Sequence, residues 1–386
     1  MTNKTMQLLD DYRTLVPRLA GIPLSDWASQ FAVTGQDPWI DGSFGLRRGS
    51  ADWDLYGLVD MLLCGLTLEP SLPVPSSMDP QRWADRILSC LDTDGLATRR
   101  NPTRHVPEHA TAYAYAGLVL LKGRGARVEL PPFRYFSSPT FCEAEFTAWF
   151  NRMGLQCPRW FSGKGLKESL RISAQRLGWY HFWPGSHVGG GVMATVIMRE
   201  QLQLPGDRPP AVCDVPELEA FFRLANRRID ARTGLWRPWF RRLASKHASL
   251  GDVGGAAHFL WLYDRLGVPH PFPEAMLRTA LRLQRPDGLF MNRPGCIDLD
   301  FTHLFSYAAR LGARQNLDDV DRAMLRNGVA VLRHVLEQDN LVGFEESHAL
   351  PGALCSLAQV DAYLRWRELE PTKSPTFNVL AEACWI

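Results

Sequence analysis

The chain has 386 residues, 46% of them hydrophobic and 22% charged, with 31 Gly and 27 Pro. That composition excludes a disordered or fibrous protein. Its 43 basic and 41 acidic residues leave a formal charge of +2, which offers no electrostatic footprint for nucleic acid. No stretch reaches the roughly 18 apolar residues that a membrane helix needs. The best one, 110–121, is shorter and carries Thr111, Tyr113 and Tyr115. The opening residues, MTNKTM and then a polar amphipathic stretch, do not read as a signal peptide. None of the eight Cys forms a CxxC pair, so buried, reduced thiols in a cytoplasmic protein are expected.

In chain order, the first signal is a turn, Asp41-Gly42-Ser43-Phe44, followed by an apolar helix from Asp54. A second turn, Asp94-Gly95-Leu96, precedes a helix that opens on Glu108 and His109. The interval 124–186 is rich in Pro and Ser and breaks the pattern, so it reads as a partly helical insertion or cap. At its end Trp183-Pro184-Gly185-Ser186-His187 leads into Gly189-Gly190-Gly191. Such glycines suit either close helix packing or a helix start with amides free for an anion. Thr233-Gly234-Leu235-Trp236 is the third turn, and a basic run from Arg237 to His247 follows it. The segments from His258 and from His303 align without gaps and both end in Arg-Leu-Gly. Between them, PEAMLRTALRLQ (273–284) has the apolar spacing of a helix that stops before Pro286-Asp287-Gly288. Asp300–Leu311 and Asn316–Leu336 read as further helices, and a looser turn occupies 340–344.

The turn glycines lie 53 residues apart (42 to 95), 54 apart (234 to 288) and 55 apart (288 to 343). A period of this size, holding two helices and a turn, marks a repeat of helical hairpins that bury their faces on one another. The segment Leu-Gln-Arg-Pro-Asp-Gly-Leu-Phe (283–290) resembles the QxxDGxW/F repeat of the terpenoid cyclase and protein prenyltransferase toroids. The resemblance implies a single all-α domain over 1–386. It would be an α/α toroid of about six hairpins, with the 124–186 insertion inside it.

In such a toroid the inner helices start near one mouth. Polar groups recur at those starts: Asp54, Glu108 with His109, Ser186 with His187, Asp252 with His258, Asp298 with Asp300 and His303, and Glu345 and Glu346 with His348. Recurrence of His in five separate units favours a shared polar site. Asp298, Asp300, His303, His258 and His109 are the expected catalytic residues. Asp54, Glu108, Trp183, His187, Trp236, Arg237, Glu345 and His348 are the expected substrate-binding ones. Asp298-Leu299-Asp300-Phe301 resembles the DxDD acid of class II terpene cyclases, with Phe301 at the last Asp. A carboxylic acid beside His can stay protonated and act as a general acid. Cys296, Asp298, His303 and His348 are weak candidates for zinc ligands.

Three functions are open at this point. One is an acid-initiated cyclase or isomerase of an isoprenoid-like substrate. Another is a lyase, epimerase or hydrolase of an acidic glycan, with paired carboxylates such as Glu108 and Asp300 or Glu345 as acid and base. The third is a toroid that binds a peptide or partner without catalysis. The basic runs at 99–105 and 237–247 point to an anionic substrate. No nicotinamide, flavin or ATP fingerprint is present, so no cofactor is identified.

Overall fold

The computed structural model describes residues 2–33, 37–103, 105–136, 140–153, 182–204, 208–313, 317–337, 346–369 and 375–386. They are predominantly helical. We number the twelve longer helices α1 (Asn3–Leu15), α2 (Leu55–Leu68), α3 (Pro80–Ser89), α4 (Pro107–Lys122), α5 (Glu143–Asn151) and α6 (Trp183–Gln203). The second half holds α7 (Pro216–Asn226), α8 (Leu250–Arg265), α9 (Pro273–Leu281), α10 (Cys296–Arg310), α11 (Leu317–Leu336) and α12 (Ala349–Trp366). The strands among the described residues are Ile229–Asp230 and Leu235–Trp236, paired antiparallel around Gly234. No described helix is long and apolar enough to cross a membrane.

Odd and even helices differ in burial. Every residue of α2 is buried, as is α4 from His109 to Leu121 and α10 from Ile297 to Ala309. By contrast α3 buries only Trp83, Ala84 and Ile87, and α9 buries one stripe, Ala275, Met276, Leu277 and Ala280. Helices apolar all round belong inside, and one-stripe helices belong outside. The contacts agree. Helix α2 packs on α4, α4 on α6, α6 on α8, α8 on α10, α10 on α12, and α12 packs back on α2. Outside this circuit α3 lies on α4, α9 on α10 and α11 on α12, while α1 docks on α11.

Short polar devices start the inner helices. The Asp54 carboxylate caps α2, accepting from Gly57 N at 2.9 Å and Leu46 N at 2.7 Å. Ser249 and Asp252 form a capping box at α8. Asp298 plays the same third-position role in α10, accepting from Gly295 N at 3.1 Å. Helix α10 therefore begins at Cys296, a turn earlier than the expected start at Asp300.

Four turn glycines share one conformation. Gly42, Gly95, Gly234 and Gly288 have φ of 74°, 77°, 71° and 97°. Each also abuts the next unit. A Cβ on Gly95 would lie 2.5 Å from Pro132 O, on Gly234 2.7 Å from Met276 N, and on Gly288 2.4 Å from Arg326 O. Glycine is required on both counts. Gln284 lies beyond the end of α9, where its amide donates to Gly288 O at 2.9 Å and Ala323 O at 2.8 Å. The expected extension of α9 to 284 is thus replaced by a bridge from the turn to α11. The turn at 340–344 lies outside the described residues, as does 154–181 of the interval 124–186. Helix α5 and the start of α6 fall within that interval.

Candidate functional site

Five imidazoles meet where the inner helices converge. His109 comes from the first turn of α4, His187 from α6, His258 from the middle of α8, and His348 from the residue before α12. His105 sits in the turn before α4. His105 and His109 stack with centroids 4.3 Å apart. The His187 ring lies 4.6 Å from that of His109 and 4.8 Å from that of His258. His348 meets His105 edge-on at 5.6 Å. Below them the Trp385 ring stacks on His258 at 4.9 Å and lies edge-on to His109 at 5.3 Å.

Second groups hold three of these rings by Nδ1. Tyr56 Oη is 2.9 Å from His109 Nδ1. Ser186 Oγ is 2.9 Å from His258 Nδ1 and donates its own hydrogen to Trp183 O at 2.8 Å. With one hydroxyl hydrogen so used, His258 Nδ1–H is the donor and Nε2 keeps the lone pair. His348 Nδ1 lies 3.0 Å from Asp60 Oδ1. The buried Asp60 carboxylate also accepts from the Tyr113 and Ser347 hydroxyls. A carboxylate accepts, so His348 too presents Nε2.

Burial sets the protonation of the cluster. It pushes His258 down to about 3 and His105 down to about 4, with neighbouring imidazoles adding to the shift. His109, buried among four other histidines, falls well below its ordinary value. These rings are neutral at pH 7. Asp300 is shifted the opposite way. Burial, and then Asp298, hold its carboxyl well above the ordinary carboxylate range. A Cβ on Gly254 would lie 3.1 Å from Asp300 Oδ2 and 3.4 Å from Trp183 Cδ2, so the carboxyl and the indole flank one gap. Cys296 lies near both Asp300 and Asp60. Its thiol is raised by burial, Asp300 and Asp60, and its Sγ is 3.9 Å from His348 O.

Of the residues expected from the sequence, His109, His187, His258 and His348 are therefore together, with Trp183 at 6.3 Å from the His187 ring. Others are used elsewhere. Asp298 clamps the turn, accepting from Phe290 N at 3.2 Å and Asn327 Nδ2 at 2.8 Å. Burial raises it to about 6, as it does Asp54. His303 faces a separate cavity of about 350 Å³, lined by Asp264, Arg310, Gln359 and Trp366. Glu108 accepts from Tyr135 Oη at 2.8 Å. Trp236 is buried and donates to Ala225 O at 2.9 Å. Arg237 is fully buried, 3.2 Å from Asp230 and 3.5 Å from Asp252. Arg241 also pairs with Asp252, and Arg100 with Asp52 at 2.7 Å. Three cations of the expected basic runs, Arg100, Arg237 and Arg241, are thus paired with adjacent acids. Glu345 lies outside the described residues. Gly189, Gly190 and Gly191 lie well inside α6, so their amides serve the helix and the anion-binding expectation fails. What they provide is approach: a Cβ on Gly191 would be 2.6 Å from Glu108 O.

The gapless alignment of His258 with His303 breaks down for a physical reason. The capping residues Asp252 and Asp298 are 46 apart, whereas the two histidines are 45 apart. One residue is about 100° around a helix, so the rings point to different places. Tyr56, Asp60, Tyr113, His105 and Trp385 were not expected at the site. The period could have found two of them. Tyr56 is 53 residues before His109 and Asp60 is 53 before Tyr113, the spacing of the first two turns.

No protein-family model matches the chain, and no curated protein or solved structure is significantly similar to it.

Proposed function

We propose that the chain is an α/α toroid of six hairpins and an enzyme acting on a polar, hydroxyl-rich substrate of the carbohydrate class at its histidine cluster. The circuit of contacts from α2 through α12 back to α2, with odd helices outside, supports the toroid. The observation that carries the enzyme reading is the Asp60–His348 pair inside the cluster. In this reading Asp60 orients His348, whose Nε2 acts as the base. Asp300, kept protonated by burial, acts as the acid. A reducing, cytoplasmic setting goes with it: the seven described cysteines are unbridged and four are buried.

The isoprenoid reading keeps one feature in its favour, the neutral Asp300 carboxyl beside the Trp183 indole. Against it, imidazole nitrogens with free lone pairs would deprotonate or trap a carbocation. A hydroxyl-rich substrate instead finds many neutral donors and acceptors there.

The test is a thermal-shift screen with neutral oligosaccharides, acidic oligosaccharides and prenyl diphosphates. A ligand at 100 times its Kd stabilises the native state by about 2.7 kcal/mol. Stabilisation by an oligosaccharide, lost in His348→Gln and kept in His303→Gln, is expected. Turnover of that ligand or a relative should fall about 10²–10⁴-fold in Asp60→Asn with the fold intact. Stabilisation by prenyl diphosphates alone would replace this reading with the cyclase.

A further inference from the structure

We infer that His105, His109 and His187 form a binding site for one divalent transition-metal ion of the zinc type. This goes beyond the substrate reading above and does not depend on it. One ligating nitrogen from each of the three rings lies within 4.8 Å of those of the other two. Around a tetrahedral zinc with Zn–N bonds of about 2.0–2.1 Å, such nitrogens sit about 3.4 Å apart. Side-chain rotation of the half-buried His105 and His187 spans that difference. The backbone is already in place, because the Gly191 approach holds α6 directly against the start of α4, where His109 stands.

The donor set fits zinc in chemistry as well as in spacing. Three imidazoles, with the fourth position left to a non-protein ligand, would make the catalytic type of site rather than the closed structural type. Metal-ligating histidines characteristically engage their other ring nitrogen in a hydrogen bond that fixes orientation. Tyr56 Oη supplies that bond to His109 Nδ1 and leaves Nε2 to face the neighbouring rings. His258 and His348, each held by Nδ1, flank the trio; a substrate oxygen or water would be the fourth ligand.

The experiment uses the whole chain, stripped with chelator and dialysed against Zn²⁺ or Co²⁺. Zinc is then measured by elemental analysis and cobalt by its visible d–d bands. One equivalent of zinc and the intense bands of tetrahedral cobalt are expected. His105→Gln, His109→Gln and His187→Gln should each lose both signals with unchanged far-UV circular dichroism, while His303→Gln keeps both. Should His109→Gln fail to fold, the half-buried His105 and His187 variants carry the test. Substoichiometric zinc in the wild type would overturn the site, as would cobalt bands that survive all three substitutions. Both measurements are made without substrate, so a failed carbohydrate screen leaves them unaffected, and a negative metal result leaves that screen standing.

Discussion

His270 lies apart from the cluster and is subject to burial with no other histidine beside it. Its Nδ1 accepts from Phe272 N at 3.1 Å, and its ring stands edge-on to Trp236 at 5.5 Å. Burial pushes it down to about 4. With Nδ1 accepting, the neutral ring carries its hydrogen on Nε2, which has no hydrogen-bond partner among the described residues, so a second proton would have to go to Nδ1 and break the Phe272 bond. The unfolded chain takes up that proton below about pH 6.5, whereas the native state resists until about pH 4. The contribution of His270 to stability is therefore complete above pH 6.5 and is lost as pH falls towards 4. Urea unfolding across this range should give a stability that rises with pH. In His270→Gln the slope should be smaller by up to about 1.4 kcal/mol per pH unit. Equal slopes in the two proteins would rule out the buried neutral state. At this scale the sequence was legible in part. Histidines near helix starts stand out by recurrence. Whether a given ring reaches its neighbours depends on helix phase, and a single residue separates His258 in the cluster from His303 in another cavity.

The turn-to-helix contact is the recurring unit at the scale of elements. Asp287 Oδ1 accepts from Leu289 N at 3.1 Å, Gln284 reaches Ala323 O, and Arg326 Nη2 donates to Arg285 O and Pro286 O, each at 2.8 Å. This explains what the Gln, Asp and Gly of the 284–288 segment do: they turn the chain and fasten it to α11. Gly288→Ala meets both a left-handed φ and a backbone oxygen at 2.4 Å. A loss of about 2–4 kcal/mol is expected, read from the shift in urea midpoint. A neutral result would mean that α11 moves away from the turn at little cost. These turns were readable from sequence because a positive φ leaves a glycine signature. The clamp that Asp298 makes on Phe290 N and Asn327 was not, because these partners lie in a loop and on another helix. For the same reason α10 starts earlier than its apolar periodicity suggests.

At the scale of the whole molecule, the helices of the contact circuit carry or adjoin the clustered histidines, and the segment after α12 packs against two of them. Trp385 is fully buried, 3.0 Å from where a Cβ on Gly190 would stand, and touches His109, His258 and Trp261. Trp385→Ala would leave a void against two rings of the histidine cluster. A loss of about 3–5 kcal/mol is expected in denaturant unfolding. A far smaller loss would show that the surrounding helices close the space. The turns carry one more consequence at this scale. Gly42 presses on Trp83 of α3, Gly95 on the backbone at Pro132, Gly234 on α9 and Gly288 on α11. Each of these four turns thus overlaps the edge of the unit that follows, as a roof tile does. A tile lifted from the middle bares the edges on both sides, so the chain can gain or lose length within its loops, but a whole unit cannot be removed without uncovering its neighbours.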